Sequence, residues 1–114
     1  LLYHDTRNNK TYVVDRMRKG VRKGILDYEI LAKTEKFMLV KITLHTGRTH
    51  QIRAQFASRK LPVAGDGRYG SHVKCPLALF SFHLEIKHPV SGETMVFSTY
   101  PPKEEPWIMF AQDY

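Results

Sequence analysis

The sequence predicts an α+β fold, a mostly antiparallel mixed β-sheet with short helices, and three observations predict it. Runs rich in β-branched and aromatic residues come in pairs joined by short polar turns, Ile25–Ala32 with Phe37–Leu44 and Leu77–Ile86 with Thr94–Ser98. Such pairs are hairpins rather than strand-helix-strand crossovers. Helical spacing is confined to a short stretch after Thr49 and another near the chain end. The sum is about five strands and one or two short helices, which is an antiparallel α+β arrangement. At 114 residues, 42% of them hydrophobic, the chain is read as one domain, 1–114, around one core.

Taken in order, Leu1-Leu2-Tyr3-His4 reads as the interior of an element, and the absence of an initiating methionine suggests part of a longer protein, a start that a processed or trimmed product would share. Residues 4 to 24 are polar and basic, with Arg7, Lys10, Arg16, Arg18, Lys19, Arg22 and Lys23 around Tyr12-Val13-Val14. They predict a short strand and a flexible loop, with a solvated linker as the alternative. In the first hairpin, Lys33-Thr34-Glu35-Lys36 is the turn, and Met38, Val40, Ile42 and Leu44 should face the core. Thr49 is placed to cap a helix whose first turn holds His50-Gln51-Ile52, with Ile52, Phe56 and Ala57 toward the core. The helix stops before Pro62, and Gly65, Gly67 and Gly70 impose tight turns. Leu77 to Ile86 alternates as a strand, Pro89–Glu93 turns, and Thr94–Ser98 returns. Glu104 to Phe110 has room for one or two helical turns.

Eighteen basic side chains against 11 acidic ones give a net charge of +7 at pH 7, and the pI is near 9.7. Such a surface attracts phosphate backbones or anionic membranes. No apolar run approaches the ~20 residues that span a bilayer, and no secretory leader opens the chain, so a soluble cytoplasmic protein is the expectation. Cys75 has no second cysteine to pair with, which makes it a structural thiol. His45 and His50, like His83 and His88, are five apart, so neither pair has the helical i, i+4 spacing of a metal site, and no metal is expected. No serine sits in a nucleophile elbow.

The run His45-Thr46-Gly47-Arg48-Thr49-His50-Gln51-Ile52-Arg53 carries the chemistry. Arg48 and Arg53 flank a helix start whose free N–H groups and dipole favour an anion. Guanidinium binds phosphate or carboxylate with two parallel prongs, which an ammonium cannot do. Arg53, about 100° round the helix from Ile52, leaves the core side and can reach across a cleft to a carboxylate. Arg48 precedes the helix and suits holding the turn or contacting phosphate. Solvated arginines or a surface ion pair are the plainer alternative. Asp66, in its Gly-Asp turn, is read as capping its own loop.

The pattern Leu44-x-Thr46-Gly47-Arg48-x-His50-Gln51-Ile52-Arg53, then Pro62, Gly65-Asp66 and Tyr69-Gly70, resembles the third conserved motif of the RluA-like pseudouridine synthases. Gly24–Leu31 is similar to the preceding strand of that family, and Leu77–Leu84 with His88-Pro89 to a later one, so nearly all of the chain is covered. The resemblance implies the C-terminal part of a pseudouridine synthase catalytic domain, isomerising uridine in structured ribosomal or transfer RNA without a cofactor. It assigns Arg53 as partner of a catalytic aspartate, and Leu79 to the uracil pocket. Arg48, Thr49, His50, Gln51, Arg68 and Tyr69 become the substrate and RNA contacts. Relatives commonly carry His-Ala where Phe80-Ser81 stand. The family's aspartate belongs to a His-Arg-Leu-Asp type segment followed by a base-stacking tyrosine; neither is in this sequence, and Asp5, Asp15, Tyr3 and Tyr12 lack that context. This chain alone is therefore expected to be inactive. The alternatives are a non-catalytic RNA-binding module of the same fold and a basic adaptor or membrane-surface protein.

Overall fold

Strand β1, Leu2–Asp5, is the middle of a three-stranded antiparallel sheet, between β2, Lys10–Val13, and β3, Val21–Arg22. The computed structural model describes residues 1–81, 83–87, 90–91, 93–98 and 106–110. In the register Leu2 faces Val13 and His4 faces Thr11, while Tyr3 faces Val21. Asp5 closes the β1–β2 turn by accepting the backbone N–H of Arg7 at 3.0 Å. The basic segment is thus neither a linker nor one strand with a loop. Each of these strands buries a single residue, Leu2, Thr11 and Val21, a pattern too sparse for alternation to reveal.

The first predicted hairpin is present as β4, Leu26–Lys33, against β5, Met38–Leu44. Thr34 closes it, its N–H donating to the Phe37 carbonyl at 2.8 Å. A register shift interrupts the ladder between Ile30 and Ala32, and the expected inward face of β5 is only partly buried. Leu39 is the buried residue of β5; Val40 and Ile42 are half-buried, and Met38 and Leu44 are exposed.

Helix α1, Gln51–Ser58, buries Gln51 and Ala54 rather than Ile52 and Phe56. Phe56 instead meets Tyr28 of β4 edge to face, with ring centroids 5.6 Å apart. Thr49 does not cap the helix: the N-cap residue is His50, at φ 52° and ψ 26°, with no side-chain cap bond. The Gln51 side chain folds back instead, its Oε1 accepting the Arg48 N–H at 3.1 Å and the Thr46 hydroxyl at 2.7 Å. The core cluster is Leu2, Ala54 and Tyr69, with Ala57 packed against it.

Past the helix, Gly67–Tyr69 forms one 3-10 turn. The later strand starts at His83 rather than Leu77: β6, His83–Lys87, pairs antiparallel with β7, Thr94–Ser98. Among the described residues this ladder runs from His83 opposite Ser98 to Lys87 opposite Thr94. The Ala78 N–H is bound elsewhere, to the Ala64 carbonyl at 2.8 Å. Of the expected turn, Pro89 and Gly92 lie outside the described residues, as do Glu104 and Glu105 of the expected last helix. The rest of that helix is a 3-10 turn, Trp107–Phe110. Seven strands among the described residues, all paired antiparallel, keep the predicted α+β class.

Candidate active site

Arg53 stands on the first turns of α1 and Asp66 in the Gly65-Asp66 turn, and the two meet side-on. Nε donates to Oδ2 and Nη2 to Oδ1, each at 2.9 Å. The Asp66 side chain is 1% exposed and that of Arg53 19%. Asp66 therefore does not cap its own loop through its side chain; the ion pair takes both oxygens. The hydrogen bonding of Arg53 to the Asp66 carboxylate is the main cause raising the Arg53 pKa above its ordinary value. Tyr69 packs on the guanidinium, with Cζ 4.9 Å from the ring centroid.

Behind this pair lies a hydrogen-bonded chain. The Thr11 N–H donates to the Tyr69 hydroxyl at 2.8 Å, and the same hydroxyl is hydrogen-bonded to His50 Nδ1 at 3.0 Å. The Thr11 hydroxyl donates to the Thr49 carbonyl at 2.7 Å, so its oxygen accepts from His4 Nδ1 at 2.9 Å. Neutral His50 with its hydrogen on Nε2 satisfies this arrangement. Its pKa is lowered by burial first, then by the Arg53 guanidinium and by His4.

A cleft of about 340 Å³ opens over Arg53, lined also by Arg48, His50, Gln51, Ile52, Leu77 and Leu79. The structure thus brings Arg53, Arg48, His50, Gln51 and Leu79 to one cleft. Arg48 is tethered through Nε to the Lys23 carbonyl at 3.0 Å, which holds the turn. Thr49 lies across the turn, on a second cleft of about 260 Å³ with His4, Thr11, Arg22 and Arg48. Arg68 is exposed beside these groups, whereas Tyr69 is turned inward and backs Arg53. Sequence reasoning missed Asp66 as the partner of Arg53, although its fixed place in the motif was a signal. It also missed Thr11, which meets Tyr69 across 58 positions of sequence. Among the described residues no group of three or more His, Cys, Asp or Glu side chains could hold a metal ion, and no helix is long and apolar enough to cross a membrane.

Residues 2–58 match the family model described as RNA pseudouridylate synthase. An RNA pseudouridine synthase of Aquifex aeolicus, named as uncharacterized, is 42% identical over 107 residues, covering 79% of this chain and 34% of its own. Ribosomal large subunit pseudouridine synthase D of Xanthomonas campestris is 32% identical, covering 85% of this chain and 35% of its own. For tRNA pseudouridine synthase C of Yersinia pestis the values are 30%, 78% and 42%. The chain spans about a third to two-fifths of the length of these curated relatives.

Proposed function

This chain belongs to the RNA pseudouridylate synthase family, and from that membership we propose that it is the C-terminal portion of a catalytic domain converting uridine to pseudouridine in structured RNA. Two relatives are named for ribosomal and transfer RNA, and either RNA suits a surface of charge +7. A cytoplasmic setting and a part in ribosomal RNA processing follow from such a substrate.

The observation that carries the proposal is the oriented guanidinium at the mouth of a partly apolar cleft. A target uridine must leave the base stack and enter a closed pocket before its glycosidic bond can be broken. The cleft of about 340 Å³ has room for a pyrimidine ring, with Leu77 and Leu79 as apolar walls and Arg53 at the polar side. An aspartate attacking or deprotonating at the sugar must stay ionised in that pocket, and an adjacent guanidinium favours the charged form. Arg53 supplies that charge, and the aspartate comes from a segment that this chain does not contain. Uracil then rotates and rejoins the sugar through carbon, with no cofactor consumed. Arg48, Arg68 and the helix start supply the phosphate clamp.

The radius of gyration, 15.8 Å, exceeds the roughly 13 Å of a self-contained domain of this length, which supports reading 1–114 as part of a larger unit. Transcripts carrying tritium at uridine C5 test the function, because forming the new carbon–carbon bond releases that hydrogen to water. The full-length protein should release tritium from ribosomal or transfer RNA. RNA binding without release would leave the non-catalytic module.

A further inference from the structure

We infer that Asp66 is a positioning residue for this reaction: its buried carboxylate holds one edge of the Arg53 guanidinium so that the other edge is presented to the cleft at a fixed angle. The inference rests on the function proposed above and adds a residue to it.

A guanidinium carries five N–H donors in one plane. Asp66 engages Nε and one hydrogen of Nη2. The remaining hydrogen of Nη2 and the adjacent one of Nη1 form a second fork, the geometry that binds another carboxylate with two parallel bonds. Two contacts in the plane and the Tyr69 ring against it, 4.9 Å from Cζ, leave the group little freedom to turn.

Asp66 is itself fixed from several sides. Its N–H donates to the Val63 carbonyl at 3.0 Å, and its carbonyl accepts from Tyr69 N at 3.1 Å and from Ser71 N at 3.0 Å. Gly65 before it sits at φ +82° against the Cys75 and Pro76 carbonyls. Tyr69 in turn is held through its hydroxyl by Thr11. A buried ion pair contributes little net stability compared with apolar side chains of the same volume. An oriented fork of donors at a cleft is what this pair adds beyond stability, and misplacing a reacting group by an ångström costs on the order of 100-fold in rate.

The test compares Asp66→Asn, Arg53→Lys, the double variant and Arg53→Ala in the full-length protein. Thermal melts by circular dichroism confirm that each variant is folded at the assay temperature. Asp66→Asn should lower kcat by roughly 10- to 100-fold while KM for RNA stays within about twofold. In the Arg53→Lys background the same change should cost less than about threefold, because the group that Asp66 orients is gone. A purely structural Asp66 would give additive losses, and that result, or an unchanged kcat, overturns the inference. Should Asp66→Asn fail to fold, side-chain NMR of the unmodified protein decides. A protected Arg53 Nε–H with distinct Nη signals is expected, and rapidly averaged Nη signals overturn it. If Arg53→Ala turns over normally, the proposed function itself has failed; if it is dead while Asp66→Asn is unimpaired, only the positioning role has.

Discussion

The Tyr69 hydroxyl lies 3.0 Å from His50 Nδ1 and accepts the Thr11 N–H at 2.8 Å from its other side. A neutral His50 accepts the phenolic hydrogen at Nδ1. The His50 pKa is lowered from 6.5, with burial as the main cause and the charges of Arg53 and His4 next. Between the folded and unfolded pKa values the unfolded chain binds more protons, so this histidine's contribution to stability is complete above about pH 6.5 and is lost as pH falls through its folded pKa. Urea unfolding should show lower stability at pH 5 than at pH 7.5, and His50→Asn should lose part of that slope. Asparagine tolerates the left-handed backbone at φ 52°. An unchanged slope in the variant would contradict the assignment.

The backbone at His50 gives a second prediction. A β-branched residue in the left-handed region costs roughly 1–2 kcal/mol. His50→Val should lose about that much beyond the Tyr69 hydrogen bond, whereas His50→Gly should lose mainly the bond. Equal losses for the two variants would show that the left-handed turn carries no strain.

Gly65→Ala tests the seat of Asp66. A Cβ at this position overlaps the Cys75 and Pro76 carbonyls, and φ is +82°, so backbone must shift. A loss of about 2 kcal/mol or more is expected in denaturant unfolding. Stability within about 0.5 kcal/mol of the parent would mean that the turn relaxes freely.

Removing either half of the buried pair should be costly, and asymmetrically so. Arg53→Leu leaves the Asp66 carboxyl, 1% exposed, without its cation, and should destabilise by about 3 kcal/mol or more at pH 7. A loss under about 1 kcal/mol would mean that the carboxyl finds other partners.

Arg68 is exposed next to the buried Tyr69 and suits a phosphate. Arg68→Ala should weaken RNA binding at every sequence tested and reduce the salt slope of log K by about one. An unchanged slope would place Arg68 outside the RNA interface.

Much of this fold was legible in the sequence because hairpin turns and β-branched runs are local signals. The Ile25–Ala32 and Phe37–Leu44 pair needed only Thr34 and its neighbours to close. The short strands around Leu2, Thr11 and Val21 were not legible, because each buries one residue and their pairing is tertiary. The burial of Leu39, on the face of β5 opposite Val40 and Ile42, has no local signal, because it is set by what packs on the hairpin. At the site, the motif singled out Arg53 and the family resemblance Leu79, and both line one cleft. Spacing could not show that Asp66 points at Arg53, or that Gln51 rather than Thr49 secures the helix start.

The most direct measurement is pseudouridine formation by the full-length protein with Arg53 replaced by alanine and by lysine, read beside RNA binding under the same conditions. Arg53→Ala should show no turnover with a smaller loss of RNA affinity, and Arg53→Lys, which keeps the charge but not the fork, should retain partial activity. Near-normal turnover by Arg53→Ala would remove Arg53 from the chemistry.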